Sequence, residues 1–185
     1  MGPTVWFLLE TIGQLLATAC LLRAYMHWLG MGSRDPIGHF VIAVTDWAVK
    51  PLRRIMPTIR QVDWSSLLAA LVIAIVMAIC YVLIAGLAQA PVFGAVVLTA
   101  VFWLIKWSVF LLIIVVIGQA VLSWVNPHAP IAPTLEGLSR PFLAPIRRIV
   151  PLVGGIDLSP LVLILLLQVV QVFVQSSFGP YLLAY

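Results

Sequence analysis

Residues 51–57 read Pro-Leu-Arg-Arg-Ile-Met-Pro, and residues 145–151 read Pro-Ile-Arg-Arg-Ile-Val-Pro. The match continues without a gap at an offset of 94 (145 − 51), with eight identities between positions 51–67 and 145–161. Roughly one identity would arise by chance over that length, so the agreement predicts an internal repeat. The chain is therefore expected to consist of two tandem repeats, residues 1–90 and residues 91–185.

The composition predicts the class of protein. Hydrophobic residues make up 63% of the 185 residues and charged residues 9%, against roughly 45–50% and about 25% in soluble domains. A membrane span needs about 20 mostly apolar residues, and four stretches qualify: 5–29, 67–87, 93–124 and 158–174, the last with room to continue toward residue 185. We expect an all-α membrane protein with four transmembrane helices, two in each repeat.

Most of the basic residues lie in two segments between spans, and they predict the orientation. They are Arg34, Lys50, Arg53, Arg54 and Arg60 in the first segment, and Arg140, Arg147 and Arg148 in the second. The positive-inside rule places both segments in the cytoplasm. The connection at 88–91 and the two termini carry no charged side chain, so they are expected on the outer side.

The basic segments also contain many apolar residues. Residues 39–55 mix both kinds, which predicts a short amphipathic helix at the headgroup boundary. Thr45 and Ser139, at equivalent positions, could cap such helices, with Pro51 and Pro57 marking the limits of the first. Two interpretations stay open: the basic residues dock anionic lipid headgroups or an acidic partner, at about 1 kcal/mol each, or they only fix the topology. The candidate docking residues are Arg53, Arg54, Arg147 and Arg148.

An aspartate follows each copy of the motif and precedes an apolar span. Asp63 and Asp157 are expected to be helix N-caps, because a carboxylate there accepts from free N–H groups and opposes the positive end of the helix dipole. A site for an ion, formed by two symmetry-related carboxylates, is the alternative.

Four polar residues inside the spans form two pairs. Aligning Trp28 with Trp124 gives an offset of 96, which matches Glu10 to Lys106 and Arg23 to Gln119. Ionised groups inside a membrane are costly and call for a partner, so we expect Glu10 and Lys106 to approach one another in the outer half of the bundle.

Further polar residues have less specific expected roles. Arg23 is expected to extend to the interface. The last span has glutamines on one face, which either join helices or line a permeation path: Gln168, Gln171 and Gln175.

The sequence contains no nucleophile–base pair, phosphate-binding loop, haem-attachment motif or metal-spaced histidine cluster. No catalytic residue, cofactor site or metal site is predicted, and the chain is not expected to be an enzyme. The net charge of +4 comes from few acidic residues and not from a basic stripe on a soluble face, so no nucleic-acid partner is expected.

The motifs together resemble those of the YggT family, also called YlmG, in its two-repeat form. The first is a span that ends in Arg23 and Trp28, and the second is the Pro-x-Arg-Arg-Ile-x-Pro motif. The third is Gly-Gly-Ile-Asp-Leu-Ser-Pro at 154–160, which precedes another span. The first repeat departs from this third motif, because its equivalent residues 60–66 read Arg-Gln-Val-Asp-Trp-Ser-Ser. The resemblance covers essentially the whole chain.

The resemblance implies a bacterial inner-membrane protein linked to osmotic-shock tolerance and potassium uptake. In plastid relatives it implies links to cytochrome maturation and division. We therefore expect a non-enzymatic accessory or assembly protein that supports envelope homeostasis and osmotic-stress tolerance. The alternative is a small oligomeric conduit for potassium or another ion. Anionic lipids are the expected partners, and a membrane-protein partner and a homo-oligomer are left open.

Overall fold

The computed structural model describes residues 2–31, 35–54, 56, 62–84, 93–150 and 157–178. Its helices are α1 (Gly2–Trp28), α2 (Pro36–Arg53), α3 (Trp64–Ile84), α4 (Phe93–Val125), α5 (Ala132–Arg147) and α6 (Ser159–Phe178). Several predictions fall outside the described residues: those for Arg34, Arg60 and Pro57, for the connection at 88–91, and for the extension of the last span beyond residue 178.

Four of these helices, α1, α3, α4 and α6, are long and apolar enough to cross a membrane, which confirms the predicted all-helical class and number of spans. Their bounds differ from the predicted ones by a few residues. Large apolar side chains such as Phe7, Leu15, Val169 and Phe173 remain exposed on the outside of the bundle. Such a surface suits contact with lipid tails and would be an aggregation liability in water.

The spans pack side by side in a definite order. α1 packs on α3, α3 on α4 and α4 on α6, and α1 also touches α4. Trp6 near the start of α1 contacts Trp103 near the start of α4, and Met26 near the end of α1 packs with Leu111 and Val115 of α4. Hence α1 and α4 run in the same direction. We call the end where they finish, and where α3 and α6 begin, the basic end.

The contact between α1 and α3 depends on small residues. Ala17 of α1 and Ala74 and Ala78 of α3 are fully buried in one cluster. A Cβ atom on Gly13 would lie 2.6 Å from Sδ of Met77, so Gly13 is what allows the methionine to lie against α1. Small residues at such contacts let two backbones approach closely, the usual way in which membrane helices pack.

Glycine also ends α1. Gly30 has φ +69, a conformation that favours glycine. The N–H of Gly30 bonds to the carbonyl of His27 at 3.0 Å, and the N–H of Met31 bonds to that of Met26 at 2.9 Å. This is the Schellman arrangement, which satisfies the last carbonyls of a helix. It stops α1 shortly before α2 begins.

At the basic end, α2 packs on α1 and α3, and α5 packs on α4 and α6. α2 buries Gly38, Val41, Thr45 and Val49, a spacing of three or four residues that puts them on one face. The prediction that Thr45 and Ser139 cap these helices is wrong: both lie in helix interiors and are buried, because the helices begin at Pro36 and Ala132. The first also continues past Pro51 to Arg53.

Candidate functional site

A buried arginine organises the basic end. Arg23 of α1 is only 9% exposed. Its Nη1 donates to Thr45 Oγ1 and to Asp46 Oδ1, both at 2.9 Å, and its Nε lies 3.8 Å from Asp63 Oδ2. One guanidinium therefore joins α1 to α2 and to the residue that precedes α3. These acceptors surround the Arg23 side chain, which is why it is buried.

Lys50 and Thr45 complete the α2 side of this cluster. Lys50 Nζ lies 2.8 Å from Asp46 Oδ2, one helical turn away. The Thr45 hydroxyl accepts from Arg23 and donates to the carbonyl of Val41 at 2.7 Å. The hydrogen bond from Lys50, together with that from Arg23, lowers the pKa of the Asp46 carboxyl below its ordinary value. Asp46 is thus held as an anion between two cations.

Asp63 is 1% exposed and accepts several hydrogen bonds. Its carboxylate accepts from the Ser65 hydroxyl, from the Ser66 hydroxyl at 2.8 Å and from the Ser66 N–H at 3.3 Å. Arg53 Nη2 lies 3.4 Å away. Burial raises the pKa of Asp63, but the serine hydrogen bonds and Arg53 outweigh it and lower the pKa below its ordinary value. The bond from Ser66 N–H is the geometry of a helix N-cap.

These side chains line a cavity of about 420 Å³ at the basic end. Arg23, Lys50 and Arg53 face it together with Asp46 and Asp63, and the imidazole of His27 lines it as well. Without His27 the charges sum to one positive (3 − 2), but each of the three cations already pairs with an aspartate. The wall is therefore joined by ion pairs, with a small excess of positive charge.

An Arg–Asp pair also joins α5 to the start of α6. Arg147 Nε lies 2.8 Å from Asp157 Oδ2, and these residues stand 94 positions after Arg53 and Asp63. Asp157 also accepts from the Ser159 N–H at 2.9 Å. Burial raises the pKa of Asp157, but Ser159 and Arg147 outweigh it and lower the pKa below its ordinary value. This pair is more open than the first, because the Asp157 side chain is 27% exposed.

The second arginine of each motif has a different environment. Arg54 and Arg148 are exposed, and neither has an ion pair with another residue in the described part of the chain. Each follows an arginine that is already paired with aspartate. Their guanidinium groups are therefore free to bind an anion at the surface.

The α4 residue matched to Arg23 lacks such a network. Gln119 is 8% exposed, and its Oε1 has no hydrogen-bond partner among the residues described. The position matched to Asp46 holds Arg140, which is exposed. The basic end thus holds two arrangements, one around Arg53–Asp63 and one around Arg147–Asp157. Both contain an Arg–Asp pair, but only the first contains a buried arginine.

Tyr25 connects the two arrangements. Its hydroxyl donates to the carbonyl of Leu138 at 2.6 Å, which ties α1 to α5. Its ring also contacts Phe142 of α5. The two arrangements therefore lie close together at one end of the bundle.

Glu10 and Lys106 lie at the opposite end and line one cavity of about 450 Å³. They make no ion pair within 4 Å with each other or with any other residue that the structure describes. The expected proximity is thus present as a shared cavity rather than as a direct contact. No group of three metal-ligating side chains occurs within the described ranges.

Sequence reasoning missed Thr45, Asp46 and Lys50 as partners of Arg23. A usable signal was present: Asp46 and Lys50 are spaced i and i+4, and Asp46 is the only acid within 39–55. The sequence does not show where α2 lies, and the contact between Arg23 and Asp46 forms only because α2 folds back against α1.

Comparisons with known proteins give a consistent result. The sequence profile described as CCB3/YggT matches residues 3–84 and 98–178. The protein named "Uncharacterized protein YggT" of Escherichia coli K12 is 36% identical over 175 residues, which cover 91% of this chain and 87% of that protein.

Two further relatives are similarly close. A Vibrio alginolyticus protein, described as lying in the proC 3′ region, is 32% identical over 94% of this chain and 95% of its own length. A Haemophilus influenzae protein is 34% identical over 91% of this chain and 90% of its own length. No solved structure matches. The profile and these relatives establish that the chain belongs to the CCB3/YggT family.

Proposed function

We propose that this chain is a non-enzymatic accessory or assembly protein of the bacterial inner membrane that supports envelope homeostasis and osmotic-stress tolerance. Its basic end faces the cytoplasm and docks anionic lipid headgroups. The orientation rests on the distribution of charge: Arg53, Arg54, Arg147 and Arg148 lie at one end of the spans, the end that the positive-inside rule assigns to the cytoplasm.

The proposal also treats residues 1–90 and 91–185 as two repeats. The order of a long helix, an amphipathic helix and a long helix occurs twice, which supports it. So do the Arg53–Asp63 and Arg147–Asp157 pairs, which recur at the motif offset of 94. A duplicated unit would present the same basic motif twice to one membrane surface.

The observation that carries the docking role is the division of each Arg-Arg pair. Arg53 and Arg147 bind aspartates and hold the amphipathic helices against the spans that follow. Arg54 and Arg148 stay exposed beside them. On α2, Phe40 and Trp47 are exposed as well, as expected of a helix whose apolar side lies in the headgroup region. Fixed helices with free guanidinium groups fit a lipid-phosphate contact.

Lipid binding by purified protein tests this role. Phosphatidylglycerol is titrated into detergent-solubilised protein and the bound lipid is counted by native mass spectrometry. Changing both Arg54 and Arg148 to Gln is expected to weaken binding at least tenfold, because each basic residue near an anionic surface contributes about 1 kcal/mol. Changing both to Lys keeps the charge and serves as the matched control. Equal affinity for the Gln variant and the wild type would contradict the docking role.

The cellular role needs a separate test. An Escherichia coli strain deleted for its YggT protein is complemented with this chain and exposed to a sudden rise in external salt. Wild-type protein is expected to restore growth, and the Arg54→Gln, Arg148→Gln variant is expected to restore less. Normal growth of the deleted strain under this stress would remove the osmotic role.

The second candidate function is a small oligomeric ion conduit, for potassium or another ion. The cavity that contains Glu10, Lys106 and Gln175 within the spans favours it, since ionisable groups at that depth often mark ion pathways. Ion flux from proteoliposomes that is abolished by Lys106→Ala would establish the conduit. Absence of flux from folded protein would leave the accessory role.

A further inference from the structure

The cavity at the end opposite to the basic end is one of two cavities that lie along α4. α1 and α6 each pack on α4, and the cavity is lined by Glu10 of α1, Lys106 of α4 and Gln175 of α6. A second cavity of about 490 Å³, nearer the basic end, is lined by Leu21 of α1, Leu112 of α4 and Leu167 of α6, among other mainly apolar residues. α3 contributes Tyr81 to the first cavity and Leu67 to the second, so the same four spans line both.

A shallow groove between α4 and α6 lies between these two cavities, and it is too narrow to hold a water molecule. It shares Lys106 and Gln175 with the polar cavity and Val109 with the apolar cavity. We call the two cavities and this groove the cleft along α4; it is charged at one end and mainly apolar along the rest. Its lining on α4 runs from Phe102 to Val115, thirteen residues later, or about 19.5 Å of helix. This is more than half of the roughly 30 Å hydrocarbon core.

The charged end of the cleft has both signs of charge on its wall. Glu10 and Lys106 face a space of about 450 Å³, which is within the range of ligand sites. A cation placed beside Glu10 would also face the Lys106 ammonium, and an anion beside Lys106 would face the Glu10 carboxylate. Inside a membrane protein an unmatched charge is costly. A group that carries one positive and one negative charge matches both.

Aromatic rings determine which way such a group would lie. Trp6 stands one turn before Glu10 on α1 and contacts Tyr81 at 5.0 Å and Trp103 at 6.2 Å between ring centroids. The faces of Trp and Tyr attract ammonium groups. The amine of a ligand is therefore expected beside Glu10 and Trp6, and its anionic oxygens beside the Lys106 ammonium and the Gln175 amide.

We propose that this cleft binds a zwitterionic phospholipid of the phosphatidylethanolamine class. Its ammonium group binds Glu10, its phosphate binds Lys106, and an acyl chain passes over the shallow groove along α4 into the apolar cavity. This site is separate from the basic end. In it, Glu10 and Lys106 bind the same ligand instead of forming a direct ion pair with each other.

Lipid selectivity in purified protein tests the proposal. The measurements use the Arg54→Gln, Arg148→Gln background, so that anionic lipid at the basic end does not contribute. Native mass spectrometry with phosphatidylethanolamine and phosphatidylglycerol of equal chain length is expected to show one tightly bound phosphatidylethanolamine per chain, with at least tenfold weaker phosphatidylglycerol binding. Equal affinities for the two lipids would overturn the proposal.

Two variants test the assigned contacts. Glu10→Gln leaves Lys106 as the only charge, so the preference is expected to reverse in favour of phosphatidylglycerol. Lys106→Met is expected to weaken phosphatidylethanolamine binding at least tenfold. Glu136→Gln, at an exposed position on α5, is the matched control and is expected to change neither affinity. An unchanged lipid preference in Glu10→Gln would overturn the assignment, and the comparison of the two lipids decides the proposal even if a variant fails to fold.

A competition experiment identifies the source of the zwitterion. Free phosphoethanolamine carries the same charges without acyl chains. If it fails to displace the lipid at millimolar concentration, the apolar cavity contributes to binding, as the proposal states. Displacement at low concentration would show that a soluble zwitterion is sufficient and would overturn the role of the acyl chain.

Discussion

Arg23 of α1, which is buried, forms an ion pair with the partly exposed Asp46 of α2, with 2.9 Å between Nη1 and Oδ1. The same guanidinium bonds to Thr45 and lies near Asp63. One guanidinium thus links α1 to α2 and to the residue that precedes α3.

Arg23→Met is expected to lower the free energy of unfolding by about 2 kcal/mol or more, because the charged hydrogen bonds to Thr45 and Asp46 are lost and the buried Asp63 keeps only Arg53 as a cation. Unfolding in detergent, followed by tryptophan fluorescence, measures the change. The exposed Arg148 provides the control: Arg148→Met is expected to change stability by about 0.5 kcal/mol or less. Equal effects of the two substitutions would contradict the central position of Arg23.

Asp63→Ala is expected to destabilise the protein more than Asp157→Ala, although both residues occupy the same position in the repeated motif. Asp63 is buried and bonds to two serines and Arg53, whereas the Asp157 side chain is 27% exposed. At Asp157 the substitution removes a bond from the Ser159 N–H and a partly exposed pair with Arg147, and the expected loss is about 1 kcal/mol. At Asp63 the buried Arg23 also loses a neighbouring anion, so the expected loss is about 3 kcal/mol. Equal losses in chemical unfolding would refute this difference.

Stability is expected to fall in acid because of three aspartates. Folding lowers the pKa of Asp46, Asp63 and Asp157 below the ordinary value. Their contribution is therefore complete above the ordinary carboxyl pKa of about 3.9, and it is lost as the pH falls below that value through the lower pKa of the folded state. Thermal unfolding between pH 7 and pH 2 measures the loss. Asp63→Asn is expected to make the acid dependence shallower, and an unchanged dependence would rule out a contribution from Asp63.

Much of the fold follows from the sequence alone. The number of spans depends on apolar length, and the amphipathic character of residues 39–55 depends on local pattern; both are visible in single stretches. The ends of the helices were harder to predict. Thr45 has a side chain that could cap a helix, but its hydroxyl instead donates to the carbonyl of Val41 and accepts from Arg23, and the helix continues through it.

The candidate sites were predictable only in part. The repeat predicted that Glu10 and Lys106 share a location. It also matched Arg53 to Arg147 and Asp63 to Asp157, but it did not predict that each arginine pairs with an aspartate. The Arg23–Asp46 contact and the cleft along α4 instead depend on how the helices pack. No repeat position marks Asp46, because its counterpart is Arg140.

Gln119→Met is expected to leave stability unchanged or to raise it by about 1 kcal/mol. Gln119 occupies the position matched to Arg23, and its Oε1 is buried without a partner in the described part of the chain. A buried unsatisfied polar atom costs about 1–3 kcal/mol, whereas methionine fills a similar volume without a hydrogen-bonding requirement. Unfolding in detergent compares the two proteins. A loss of 1 kcal/mol or more would show that Gln119 has a hydrogen-bond partner such as a buried water.

Gly13→Leu is expected to lower the free energy of unfolding by about 1–3 kcal/mol, the usual cost of overpacking a close contact. Even a single Cβ there would lie 2.6 Å from Sδ and 2.8 Å from Cγ of Met77, so a larger side chain must push α1 and α3 apart. Combining Gly13→Leu with Met77→Ala makes room and should recover part of the loss. Gly94→Leu is the matched control, since a Cβ at Gly94 meets nothing within 4 Å. If the two changes at Gly13 and Met77 prove simply additive, their side chains do not share one contact, and the packing of α1 on α3 must depend on other residues.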